Sequence, residues 1–193
     1  MNDKGDKYNR ILKASIEVIS EKGLHKTSIS DIVKKAEVAQ GTFYLYFSSK
    51  NALIPAIAKN LLTIILDNLK NQVNTDESFW QALQIYIDET FVLTDQYKDV
   101  LSLCYAGLAF DYSMETWEKI YEPFYLWFEN LLIIAIERGE VDSLIPISWT
   151  TKLIINSVEN AAERFYISKD QEMTCDDSKE ALFCFIQRSL ICK

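Results

Sequence analysis

Residues 39 to 53 read AQGTFYLYFSSKNAL, and the polar groups on offer are two amides (Gln40, Asn51), hydroxyls (Thr42, Ser48, Ser49), two phenols (Tyr44, Tyr46) and an ammonium (Lys50). Such a set donates and accepts hydrogen bonds but pairs no nucleophile with a base, so its chemistry is recognition rather than bond breaking. An amide can pair bidentately with adenine and a threonine can contact the thymine methyl, while phenols and ammonium groups bond phosphate oxygens. Gly41 lets a backbone approach closely whatever is recognised. Elsewhere the chain offers little for catalysis. It has a single histidine, His25, no glycine-rich phosphate loop, and Cys104, Cys175, Cys184 and Cys192 form no CxxC pair. These residues imply no enzyme, no cofactor and no metal. His25 reads as a solvated loop residue, and the cysteines as reduced thiols.

Groups of this kind need rigid elements to aim them, and almost the whole sequence reads as helix. The 193 residues are 49% hydrophobic with only five glycines and three prolines, which suits a helical chain poor in turns. From Lys7 to Lys22 apolar residues recur at helical spacing (Ile11, Leu12, Val18, Ile19, with Ser15 among them), and Gly23 follows where a C-terminal cap belongs. Ser28-Ile29-Ser30-Asp31 has the spacing of a capping box and opens a second helix ending near Glu37. A third runs from Gln40 to about Tyr46, and Ser48-Ser49 precede a long fourth from Lys50 to about Val73. Further helices are expected at 77–95, 98–110, 115–138, 148–168 and 177–192. The fold class expected is all-α with about nine helices: a head over 1–49 and a larger helical body over 50–193.

Charge divides in the same way. Residues 1–60 carry a balance of +4 and the rest −12, so a basic head precedes an acidic body. Chance clustering gives the same balance, but the asymmetry suits a chain that meets phosphate at one end. No apolar run reaches the roughly 18 residues of a membrane span. The opening MNDKGDKYNR has no apolar signal core, so the cytoplasm is the expected compartment.

Two short helices joined by a tight turn behind a supporting helix form a helix-turn-helix, whose second short helix enters the major groove. On that helix Phe43 and Phe47 lie four apart and turn inward with Val38. Gln40, Thr42, Tyr44 and Tyr46 then point elsewhere. With Gly23, TSISDIVKKA at 27–36 and VAQGTFYLYFSSKNAL at 38–53, the first third of the chain resembles the DNA-binding region of the tetracycline-repressor (TetR) family of bacterial regulators. The family-type region would span about 4–64 and the motif about 28–47. The resemblance implies DNA contacts from Thr27, Ser28, Gln40, Gly41, Thr42, Tyr44, Leu45, Tyr46 and Lys50, the last pairing with phosphate. Glu37 stands where the family usually has a turn glycine, Ala39 where it often has a capping serine, and Asn51 where it usually has an acid.

Beyond residue 60 the aromatics dominate. Trp117, Tyr121, Phe124 and Phe128 follow steps of four, three and four on one helix, with Phe91 and Tyr105 expected opposite. This stripe reads either as core or as the lining of a site for an apolar or aromatic small molecule. Glu118 and Glu122 could favour a cationic ligand, but water is the better reading of both. The resemblance further implies a homodimer built from the last two helices, with Ile154, Val158, Ala161, Ala162, Phe165, Leu182, Phe185 and Ile186 at the interface and a palindromic operator as partner. Pro55, as the sixth residue of a helix capped by Ser49, would be a hinge or a tolerated kink. The function expected is a ligand-responsive repressor. The alternative is a helix-turn-helix protein with a filled core and no inducer.

Overall fold

The computed structural model describes residues 3–108, 113–168 and 172–191, without the side chains of residues 3, 4 and 103–108. It holds eight helices: α1 (Asp3–Lys22), α2 (Ile29–Lys35), α3 (Gln40–Tyr44), α4 (Leu53–Gln72), α5 (Phe79–Leu108), α6 (Met114–Glu137), α7 (Ile147–Tyr166) and α8 (Cys175–Leu190). The count falls short of nine because 77–95 and 98–110 join as α5, which bends at Tyr97 (φ −117°, ψ 17°). Tyr97-Lys98 contains neither glycine nor proline, so the chain kinks there without ending the helix. Among the described residues no helix is long and apolar enough to cross a membrane.

Two compact units emerge, Met1–Leu61 with Asp99–Ile120, and Leu62–Lys98 with Tyr121–Lys193. The first therefore runs past the expected boundary at 49, because the buried Leu53, Ile54, Ile57 and Leu61 at the start of α4 belong to it.

In the first unit the periodic residues of α1 are buried, and the Ser15 hydroxyl satisfies itself by donating to the Ile11 carbonyl at 2.7 Å. Gly23 takes φ 76°, ending α1 as its position predicts. Ser28 caps α2: its side chain accepts from the Asp31 N–H at 3.1 Å while the Asp31 carboxylate accepts from the Ser28 N–H at 3.0 Å. The Ser28 hydroxyl, donating to the Asp31 carboxylate at 2.7 Å, and then the Ser28 N–H and Lys22, hold the Asp31 carboxyl down to about 2.

The turn between α2 and α3 is where glycine would be expected, and Glu37 adopts φ 52° there. A side chain in that left-handed region costs about 1–2 kcal/mol. Arg10 of α1 compensates by donating to the carbonyls of Ala36 at 2.7 Å and Glu37 at 3.0 Å, with the Glu37 carboxylate 3.5 Å from the guanidinium.

Pro55 is the third residue of α4 rather than the sixth, because residues 50–52 form a turn in which Ser49 Oγ accepts from the Ala52 N–H at 3.2 Å. The first four N–H groups of a helix lack intrahelical acceptors, so a proline here breaks nothing and the hinge argument loses its basis. The interior proline is Pro123 of α6, which removes a hydrogen bond in mid-helix.

The second unit is built on aromatic packing. Tyr86 and Phe91 of α5, Phe124 and Phe128 of α6, Ile155, Val158 and Ala162 of α7, and Ile186 and Leu190 of α8 are all buried in one core. Phe128 meets Phe79 and Tyr86 edge-on, with centroids 6.0 and 5.5 Å apart. Glu140 closes the start of α5, accepting from Ser78 Oγ at 2.7 Å and the Phe79 N–H at 2.8 Å. Beside it a cavity of about 10 Å³, lined by Phe79, Leu131 and Arg138 among others, has room for one water.

Replacing Glu37 with glycine should stabilise the protein by about 0.5–1 kcal/mol in urea denaturation, since the strain at φ 52° is relieved and only an exposed ion pair is lost. A loss of stability would show that the Glu37 side chain, not the Arg10 bonds to the backbone, holds the turn.

Candidate nucleic-acid interface

Helix α3 has five residues, and Ala39 at its N-cap makes no side-chain hydrogen bond. It is held by packing. Phe43 and Phe47 are buried, and Tyr8 of α1 stacks on Phe47 at 5.4 Å and meets Tyr46 edge-on at 5.8 Å. With that face fixed inward, Gln40, Gly41, Tyr44 and Leu45 are exposed, Tyr44 at 53% and Leu45 at 79%. Thr42 and Tyr46 are half-buried. A Cβ built on Gly41 would meet nothing within 4 Å, so nothing inside the protein requires a glycine there. An exposed leucine, a tyrosine, an amide and a bare stretch of backbone share the outward side of one short helix.

Ser28 is exposed at the start of α2, with its hydroxyl already donating to the Asp31 carboxylate at 2.7 Å. Two other expected contacts are corrected. Thr27 is buried, its hydroxyl donating to the Gly23 carbonyl at 2.8 Å, so its side chain stabilises the end of α1 instead of facing out. Lys50 is half-buried and donates to the carbonyls of Leu24 at 2.6 Å and Thr27 at 2.8 Å. An ammonium bonded to two carbonyls is a staple across the α1–α2 loop before it is a phosphate ligand. The exposed position of His25 in that loop agrees with the sequence reading.

The residues singled out in the body separate likewise. Phe91, Phe124 and Phe128 are sealed in the core of the second unit. Trp117 is buried, and its indole N–H finds no hydrogen-bond partner among the described residues. The side chain of Tyr105 lies outside the described residues. Tyr121 is half-buried, and its hydroxyl donates to Glu159 of α7, 3.1 and 3.0 Å from the two carboxylate oxygens. Glu159 was not foreseen; desolvation pushes its carboxyl up to about 8, against the lowering effect of that hydrogen bond. Glu118 and Glu122 are exposed, as a water-facing reading requires.

Of the expected interface residues, Ile154, Val158, Ala162 and Ile186 are buried in the chain's own core and offer no surface to a second copy. Each of the two helices is apolar on more than one face, and these positions fill the inner one. Ala161, Phe165 and Leu182 are partly buried against the same core. Phe185 is 65% exposed, and with it Leu153 at 50% and Trp149 at 64%, of which only Trp149 escaped the sequence reading.

Lys50→Met should lower stability by about 2 kcal/mol, because two carbonyls lose a charged donor, and the loss should appear in chemical denaturation without any DNA present. Unchanged stability would return Lys50 to the surface as a phosphate ligand.

The fold agrees with comparisons to known proteins. Residues 11–57 match the family model for bacterial regulatory proteins of the tetR family, and residues 83–190 match the tetracyclin repressor-like C-terminal domain. An uncharacterized HTH-type transcriptional regulator of Bacillus subtilis, YvdT, is 59% identical over 184 residues, covering 95% of both chains. The fatty acid metabolism regulator protein of the same organism is 25% identical over 89% of each. Among solved structures, FadR from Bacillus subtilis in complex with stearoyl-CoA superposes with a TM-score of 0.74 at 20% identity, over 93% of this chain and 97% of that one. RolR with resorcinol gives 0.69 at 15% identity, over 97% of this chain and 88% of that one. The chain is thus a helix-turn-helix transcriptional regulator whose α3 lies within the matched residues 11–57, and it belongs to the TetR family.

Proposed function

We propose that this regulator is a cytoplasmic repressor that binds a palindromic operator as a homodimer and releases it when a hydrophobic or aromatic small molecule occupies the body. The observation that carries the DNA-reading part is the exposed set Gln40, Gly41, Tyr44 and Leu45 over a buried Phe43. Gln40 and Thr42 supply base contacts, while Tyr44, Tyr46 and Ser28 set the register on phosphate. A second copy would cover Trp149 and Leu153 of α7 and Phe185 of α8, large apolar side chains left in water by one chain. Two-fold symmetry then asks for half-sites about 34–36 Å apart or slightly more.

Release would be a shift between two states of the body, with a coupling of about 1–3 kcal/mol. Helices α4, α5 and α6 each begin in one unit and end in the other, so they are the continuous elements along which such a shift would travel. Ligand response is supported by the likeness to FadR and RolR, whose structures hold stearoyl-CoA and resorcinol. The alternative, a regulator with a filled body and no inducer, is favoured by the sealing of Phe91, Phe124 and Phe128.

Sequencing the DNA retained by the purified protein tests the first part: inverted repeats are expected, and fragments without symmetry would remove the dimer. A panel of hydrophobic compounds tests the second. Compounds that raise the melting temperature should weaken operator binding fivefold or more, and a blank panel leaves the filled body. Gly41→Ala should keep or slightly raise stability, by up to about 1 kcal/mol, yet lower operator affinity at least tenfold, because the added methyl has room within the protein and would meet only DNA. Operator affinity unaltered by that methyl would place the DNA elsewhere.

A further inference from the structure

We propose that Glu159 of α7, with Tyr121 and Tyr125 of α6, forms an effector subsite that selects a positively charged ligand, an amine or quaternary ammonium carrying an apolar group. This rests on the ligand-responsive reading above and narrows it, since a hydrophobic effector need carry no charge.

A carboxylate has about four acceptor sites, and Glu159 receives one proton, from the Tyr121 hydroxyl shared between its two oxygens. No lysine or arginine among the described residues pairs with it. Its charged neighbour on the same helix is Glu163, one turn on, which opposes ionisation further. From α5, Tyr86 faces it, a fully buried phenol whose own pKa is pushed well above 10 by burial and then by the Glu159 charge. From α6 come Tyr121 and Tyr125, stacked at 5.5 Å. The acid is therefore surrounded by tyrosines and, among the described residues, lacks a counter-ion.

The aromatic faces here already attract positive charge: the Lys152 ammonium stands 5.0 Å over the Tyr125 ring. Glu159, Tyr121 and Tyr125 are each only half-buried, so this group reaches the surface at its edge although the carboxyl itself is desolvated. Lys152, Glu159 and Glu163 follow steps of seven and four, a helical flank offset from the Trp149–Leu153 stripe. A cation would supply the missing counter-charge and favour the ionised acid; a neutral or anionic ligand would not.

Proton and cation therefore compete. The pKa of about 8 means that lowering the pH to 6.5 protonates Glu159 and removes the attraction.

The probes are phenyltrimethylammonium and its neutral isostere tert-butylbenzene, titrated into the full chain by calorimetry. At pH 8.5 the cation should bind at least tenfold more tightly than tert-butylbenzene, and about twentyfold more weakly at pH 6.5 than at 8.5. Glu159→Gln should abolish the cation's advantage and flatten its pH profile while leaving tert-butylbenzene unchanged. Tyr121→Phe keeps the ring but removes the hydrogen bond that lowers the acid's pKa, so the midpoint of the profile should move to higher pH. A purely structural role for either residue would not move that midpoint. Equal binding of the two probes, or cation binding that survives Glu159→Gln, overturns the inference and leaves the ligand-responsive reading intact. Failure of both probes overturns it as well. The hydrophobic panel then separates the two: releasing compounds preserve the broader reading, and a blank panel ends both.

Discussion

A five-residue helix without a side-chain cap does not persist in water, because fixing its first turn costs more than its one or two hydrogen bonds return. Helix α3 exists because Phe43 and Phe47 are pressed into the head and Tyr8 closes over the second ring. That packing also sets the helix's rotation. Successive residues are turned by about 100°, so burying Phe43 and Phe47 commits Tyr44 and Leu45 to solvent and leaves Gln40 and Gly41 at the outer rim. Presentation of the outward face is thus a consequence of core packing at two positions. Anything that loosened those rings would lose the face before it lost the fold.

Two cations do related work at opposite ends of α2. Lys50 bonds carbonyls in the loop before it and Arg10 bonds the carbonyls of Ala36 and Glu37 after it. Helix ends and the turns beside them carry carbonyls without backbone partners, and a positive side chain is the natural donor there. The arrangement explains how the head tolerates Glu37 in a left-handed turn. It also changes the meaning of the basic balance of the first sixty residues. Part of that charge fastens the head together, and the remainder is what a phosphate backbone can meet.

Local chemistry made much of the head legible from sequence. Gly23, the Ser28–Asp31 box and the Phe43–Phe47 spacing each specify a conformation through neighbouring residues, so they needed no knowledge of the fold. Thr27 and Lys50 were misplaced because their partners are backbone carbonyls across a loop, and a carbonyl has no letter in the sequence. Helix α4 begins three residues later than its sequence suggests, which leaves Pro55 in the harmless first turn and removes the hinge while keeping the tolerated proline. On α7 and α8 the apolar residues cover more than one face, and periodicity cannot say which face meets the chain's own core. The neighbours decided it: Val158 went in and Phe185 stayed out.

The aromatic stripe of α6 shows where residue type overrides spacing. Phe124 and Phe128 share a face with Tyr121, yet the phenylalanines are sealed and the tyrosine remains half-buried with its hydroxyl on a carboxylate. A phenylalanine loses nothing by going to the centre of a core. A tyrosine must bring a partner or stop where its oxygen can find one. Glu159 is that partner, and in the sequence it cannot be told from the other acids of an acidic body. What distinguishes it is the set of rings that three helices assemble around it, which desolvates the acid and makes its ionised form costly.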